Sequence, residues 1–230
     1  MQPLLHGISS MATRQVLSEL LAAWHARGGE ETTIESVGGI DAARRVQAGE
    51  EALDVVFLAS EALTKLQAAS RVVEGSVLPL MRSGTAVAVP AGAAQPDIAS
   101  EDAVRAAVLA APSIGYSTGP SGVALQALFE RWGIAAQIST RTVQAPPGVP
   151  VGALIARGEV ALGFQQLTEL IHVPGIAVVG LLPPAIAIDT VFGAGIVAGT
   201  PHADVAQRLL AFMASSEASQ AKLRQGMALV

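Results

Sequence analysis

The chain has 230 residues, of which 51% are apolar, 14% charged and 3% aromatic, with a formal net charge of −5. It has no cysteine, which excludes disulfides and thiolate metal sites. It has no basic stripe and no long uninterrupted apolar run, so nucleic acid is not an expected partner and no membrane span is expected.

A composition this rich in Ala, Val, Leu, Ile and Gly builds a large aliphatic core, and the length allows two small lobes. Met1 and Gln2 run straight into an apolar segment with no basic or apolar leader ahead of them. The expected location is therefore periplasmic if a signal peptide has been removed, and cytoplasmic otherwise.

Residues 4–8 predict a first strand that ends at Ser9-Ser10. A helix is expected from about Thr13, because Val16, Leu17, Leu20, Leu21 and Trp24 recur at helical spacing until Gly28-Gly29. The β-branched residues at 32–37 predict a second strand, and Gly38-Gly39 opens a helix over 41–48. Residues 54–58 predict a fully apolar strand and 61–69 a third helix. A strand is expected at 85–89, then a helix over 100–109 with Ser100 as its N-cap and Glu101 and Asp102 in its first turn. The next expectations are a strand at 113–116, a loop at 117–122, a helix over 123–132 and a strand at 137–143. A helix over 150–157, a strand at 160–164 and a short helix at 167–171 follow. Strands at 176–179 and 186–195 and two amphipathic helices over 201–215 and 216–225 complete the chain.

Alternating strands and helices imply an α/β fold with mainly parallel sheets and helices on both faces. The run Val55-Val56-Phe57-Leu58 supports a sheet buried on both sides. Two lobes are expected, one from residues 1–83 plus 190–230 and the other from 84–189, joined by two crossover strands near 82–89 and 186–196.

Ligands of open α/β folds lie beyond the carboxyl ends of strands. Three strand-to-helix loops share one character: Gly7-Ile8-Ser9-Ser10-Met11, Val37-Gly38-Gly39-Ile40-Asp41 and Tyr116-Ser117-Thr118-Gly119-Pro120-Ser121-Gly122. Glycine admits a close ligand, Ser and Thr add donors, and the first N–H groups of a helix are unpaired at the positive end of its dipole. Taken singly, each loop also fits plain helix capping. Taken together, they predict a site for a small anion at Ser9, Ser10, Met11, Gly38, Gly39, Tyr116, Ser117, Thr118, Ser121 and Gly122. Gln165 and Gln166 follow an apolar strand and offer neutral amides either to that anion or to local capping.

The third loop lacks the Lys of a phosphate-binding loop, the three-Gly dinucleotide spacing and the pattern of a nucleophile elbow, so no cofactor is expected. His6, His25, His172 and His202 do not pair at metal-ligand spacing, and no metal is expected. Arg44, Arg45 and Arg82 can each grip a carboxylate or lie solvated. No carboxylate pair stands at cleft positions, which argues against a glycosidase. For proton transfer the available groups are His6, Tyr116 and the hydroxyls of Ser9 or Ser117, and no catalytic residue is singled out.

The order of elements and loops resembles the type II periplasmic solute-binding proteins, specifically the molybdate-binding branch, over nearly the whole chain. The matching segments are His6-Gly7-Ile8-Ser9-Ser10, Glu50-Glu51-Ala52-Leu53-Asp54-Val55-Val56-Phe57-Leu58-Ala59-Ser60, Leu154-Ile155-Ala156-Arg157-Gly158-Glu159-Val160-Ala161-Leu162-Gly163-Phe164 and Ala211-Phe212-Met213-Ala214-Ser215-Ser216-Glu217-Ala218. The resemblance implies two lobes that close on one small anion, with the permease of an ABC-type importer as partner. In the molybdate binders the contacts come from a Ser after the first strand, a Ser in the second loop, backbone in the third loop and a Tyr after a later strand. Ser9 or Ser10 fills the first role here and Ser121-Gly122 the third, whereas the second loop has Gly38-Gly39, and Gln165-Gln166 stand in the place of the Tyr. These departures fit an organic carboxylate as well as an oxyanion. Aconitate isomerase is similar to the molybdate binders, so the alternative expectation is a cytoplasmic, cofactor-independent isomerase of an unsaturated di- or tricarboxylate.

Overall fold

The computed structural model describes residues 5–49, 52–146 and 148–230. The expectations at residues 1–4 and at Glu50 and Glu51 lie outside the described residues. The chain divides into two compact units, Met1–Arg82 with Val191–Val230, and Ser83–Thr190.

Unit 1 opens with β1 (Leu5–Ser10), a 3-10 turn (Met11–Thr13), α1 (Arg14–Ala26), β2 (Thr32–Val37), α2 (Gly39–Ala48), β3 (Val55–Ala59) and α3 (Ser60–Ala68). The chain passes into unit 2 along β4 (Leu78–Pro90). Unit 2 continues with α4 (Glu101–Ala110), β5 (Ile114–Tyr116), α5 (Pro120–Arg131), α6 (Ala135–Ile138), β6 (Thr142–Gln144), α7 (Val151–Ala156), β7 (Leu162–Gln166), α8 (Leu167–Leu170) and β8 (Ile176–Leu181). It returns to unit 1 along β9 (Asp189–Ile196), and α9 (Ala203–Ala214) and α10 (Ser219–Arg224) close the chain.

In unit 1 the strand order is β2-β1-β3-β9, with β1 parallel to β2 and β3, and β9 antiparallel to β3. Alternation along β3 sorts the core by face. Val55 and Phe57 pack with Leu17, Leu20, Leu209 and Met213 from α1 and α9, and Val56 and Leu58 pack with Val46, Leu63 and Leu66 from α2 and α3. Unit 2 repeats the plan: β5 is parallel to β6 and β7, while β7 and β8 run antiparallel to β4. Val87, Val89 and Phe164 face α4, α5 and α6, and Ala86 and Ala88 face α7 and α8. Gly115 and Gly163 bring α7 onto this sheet, since a Cβ at Gly163 would stand 2.4 Å from Ile155 Cδ1. The fold is therefore α/β, as expected, with mixed pairing: β1 and β5 carry the parallel pairs, and β4, β8 and β9 supply the antiparallel ones.

The structure corrects three local expectations. Residues 137–143 are not one strand, because α6 and a 3-10 turn (Ser139–Arg141) occupy most of them. Ile134 and Ile138 are buried four residues apart, a helical spacing, and the Arg141 guanidinium is held by the carbonyls of Leu109 and Ala111. Helix α5 starts at Pro120 rather than 123, so Ser121 and Gly122 lie in its first turn; proline at a first helical position costs no hydrogen bond and presets φ. Strand β7 extends to Gln166, which places both glutamines inside the sheet.

Candidate functional site

Within unit 1 the parallel register sets Ser10 beside Val37 and Ser9 beside both Ser36 and Phe57. The carboxyl ends of β1, β2 and β3 thus share one edge, and a helix or 3-10 turn starts from each. Ser9 Oγ lies 2.8 Å from Ser36 Oγ, so that hydroxyl is engaged. Ser10 is buried, and its carbonyl accepts from Thr13 Oγ1 at 2.9 Å, but its Oγ has no partner. A Cβ at Gly39 would stand 3.4 Å from Ser10 Cβ, so α2 begins directly against this serine. Met11 is half-buried in the turn that follows, and Gly38 and Gly39 are half-buried.

Helices α2 and α3 have Gly38 and Ala59 at their N-cap positions and no side-chain cap, whereas Ser100 caps α4 by accepting from Ala103 N at 3.2 Å. Ser60, on the first turn of α3, also carries a buried Oγ with no partner. Open hydroxyls next to uncapped helix amides are donors waiting for an acceptor. The two arginines of α2 face carboxylates: Arg45 donates to both Glu35 oxygens at 3.0 and 2.7 Å, and Arg44 to Asp41 at 2.8 Å. The Arg45 hydrogen bonds hold the Glu35 carboxyl below its ordinary pKa. Arg82 is exposed.

Within unit 2, Tyr116 is buried in the core and its hydroxyl accepts from Gln126 Nε2 at 2.6 Å. Ser117 Oγ and Ser121 Oγ lie 3.4 Å apart, with Ser117 and Thr118 half-buried. A Cβ at Gly122 would fall 1.8 Å from the Ser117 carbonyl oxygen, so only glycine permits α5 to start this close to the loop.

Successive residues of β7 point to opposite faces, and the two glutamines part company. Gln165 Oε1 accepts from Val151 N at 2.7 Å and from Gly152 N at 3.4 Å, and its Nε2 donates to Glu169 Oε1 at 2.9 Å. It secures the start of α7 and the first turn of α8. Gln166 Nε2 donates to Thr190 Oγ1 at 2.8 Å, and its Oε1 is buried without a partner. Thr85, the cross-strand neighbour of Gln166, and Ser83, two residues earlier on the same face of β4, also have buried hydroxyls without partners. Burial raises the Glu169 carboxyl to a pKa of about 7, against the lowering effect of the Gln165 hydrogen bond.

Ser60, Ser83, Thr85, Thr190 and Glu169 were not anticipated as site residues. A signal existed for one pair: Ser83 and Thr85 are polar at alternate positions of a strand whose other residues, Arg82 apart, are apolar or glycine. His6 is exposed on β1, with Nδ1 3.2 Å from Thr33 Oγ1 and four residues ahead of the edge serine. His25 Nε2 accepts from Thr32 N at 3.1 Å. Among the described residues no group of three or more His, Asp or Glu is placed to hold a metal ion, and no helix is long and apolar enough to cross a membrane.

The chain is 40% identical over 172 residues to aconitate isomerase from a Pseudomonas species, which covers 74% of this chain. The chain spans 65% of the length of that curated relative. The periplasmic molybdate-binding protein of Azotobacter vinelandii superposes with a TM-score of 0.81 at 19% identity, covering 98% of this chain and 99% of its own. The sulfate-binding protein SubI of Mycobacterium tuberculosis H37Rv gives 0.76 at 17% identity, covering 99% and 87%. These structures share the type II periplasmic-binding fold with the chain. The model of the bacterial extracellular solute-binding proteins matches residues 5–228, and the chain belongs to that family.

Proposed function

We propose that the chain binds a small anion, an oxyanion or an organic carboxylate, as the receptor of an ABC-type importer in the periplasm. The observation that carries this reading is the open Ser10 hydroxyl beside the uncapped start of α2 in unit 1. A buried hydroxyl free to donate, next to unpaired helix amides at the positive end of a dipole, is what an anion requires. In unit 2 the start of α5 around Ser117, Thr118, Ser121 and Gly122 is a donor set of the same kind. The solute-binding family and the oxyanion-binding neighbours support this reading.

A second reading is an isomerase of an unsaturated carboxylate, and its specific support is the relation to aconitate isomerase.

One experiment separates the two. Thermal shifts are measured with molybdate, tungstate, sulfate, phosphate, citrate, and cis- and trans-aconitate, and NMR follows each carboxylate that shifts the melting temperature. A receptor is stabilised by one of these and leaves it chemically unchanged, with Ser10→Ala weakening it by about tenfold, as loss of a charge-assisted hydrogen bond does. Conversion of cis- into trans-aconitate establishes the isomerase. Binding that is indifferent to Ser10→Ala overturns the site.

A further inference from the structure

Four residues of unit 2, Ser83, Thr85, Gln166 and Thr190, are 0, 2, 4 and 8% exposed and lie on β4, β7 and β9. Three of their polar atoms, Ser83 Oγ, Thr85 Oγ1 and Gln166 Oε1, have no hydrogen-bond partner. Buried polar atoms in folded proteins are nearly always paired, so three open ones in one neighbourhood call for an occupant. Thr85 and Gln166 are register partners, and Ser83 is on the same face of β4, so the three open groups are neighbours.

The chemistry of the occupant follows from what each atom can do. Gln166 spends its N–H on Thr190, which leaves a carbonyl oxygen that only accepts. A fully ionised tetrahedral oxyanion has no proton to give it, and neither has a carboxylate. The serine and threonine hydroxyls can both donate and accept. An alcohol O–H satisfies the whole set, because it donates to Gln166 and accepts from a hydroxyl. Resting on the unit 2 donor set of the anion-binding reading above, we infer that the ligand is a hydroxycarboxylate, and that Gln166, Thr85 and Ser83 select it by its hydroxyl. A site built to hydrogen-bond a ligand hydroxyl rejects the analogue that lacks it far more strongly than an apolar pocket rejects a missing methylene.

The test is calorimetric titration with matched pairs, citrate against tricarballylate and malate against succinate, on wild type, Gln166→Met, Thr85→Val and Ser121→Ala. The expected result is a preference of about tenfold or more for the hydroxylated member of a pair. Gln166→Met and Thr85→Val each reduce that preference, and Ser121→Ala weakens both members alike. Thr85→Val is nearly isosteric and decides the matter if Gln166→Met does not fold.

Equal affinity within both pairs overturns the inference: the cluster then holds a water molecule, or the Gln166 amide is reversed and offers N–H. Tighter binding of aspartate than of malate also overturns it, in favour of an ammonium donor. Molybdate or sulfate binding that depends on Ser121 but ignores Gln166 sinks the inference and leaves the anion-binding reading intact. Indifference of every ligand to Ser121→Ala removes the unit 2 donor set itself.

Discussion

Glu169 pays for its position in pH-dependent stability. Its carboxyl titrates at about 7 in the folded protein against an ordinary 4.5, because enclosure disfavours the charged form and one hydrogen bond from Gln165 does not make up the difference. Below pH 4.5 the group is neutral folded or unfolded and costs nothing. Between that point and 7 the unfolded chain releases the proton while the folded chain keeps it, so stability falls as pH rises. Above 7 the full cost remains, at most about 3 kcal/mol. Glu169→Gln keeps an acceptor for Gln165 and removes the ionisation. It is expected to raise the unfolding free energy at pH 8 by up to that amount and to change it little at pH 4.5, as measured by urea unfolding at both. An equal effect at the two pH values would show that Glu169 is not the titrating group. In sequence, Glu169 is indistinguishable from any acid on a helix surface, since nothing local reports enclosure. Ser10 and Gln166 stood out because serine and glutamine at strand ends are chemically conspicuous, but which glutamine would be left open depended on a strand boundary two residues further on than expected.

At the scale of elements, the start of α5 decides the geometry of the unit 2 loop. Gly122 sits within the helix, yet its missing side chain is what lets the Ser117 carbonyl approach. Gly122→Ala must move that carbonyl, which belongs to the loop backbone rather than to a pliant side chain. The expected cost is roughly 1–3 kcal/mol, with weakened anion binding, measured by thermal unfolding and calorimetry. Gly38→Ala is the control: nothing lies within 4 Å of the position and its φ of −57 suits any residue, so the fold should tolerate it. A Gly122→Ala protein as stable as wild type would remove the argument for close approach. Helices with a clear apolar stripe, such as α1 with Val16, Leu17, Leu20 and Trp24, were legible from spacing alone. The stretch from Ala135 to Arg141 was not, because four helical residues give too few repeats to set a period and the Arg141 contact that fixes them comes from 30 residues away.

For the whole molecule, the class of fold was legible because alternating strands and helices leave few packings open, and the apolar strands demanded cover on both faces. The ligand was less so, because neutral donors recognise charge without leaving a charged residue type in the sequence. That same neutrality has a measurable consequence. The chain carries a net charge of −5, and in unit 1 Arg44 and Arg45 already face carboxylates. On the proposed reading, an anion would be bound by hydroxyls and helix amides against an unfavourable overall field. Sites held by arginine or lysine lose affinity as salt screens the attraction, with a Debye length of about 10 Å at 0.1 M falling to about 3 Å at 1 M. Here salt screens a long-range repulsion instead, while the short hydrogen bonds inside the site are little affected. Affinity for the anion is expected to stay flat or rise slightly between about 0.05 and 0.5 M sodium chloride, and the association rate to rise. Calorimetry and stopped-flow titration across that range measure both. A steep fall in affinity would mean that a fixed cation grips the ligand, and Arg82, exposed next to the first residue of unit 2, would be the residue to substitute first.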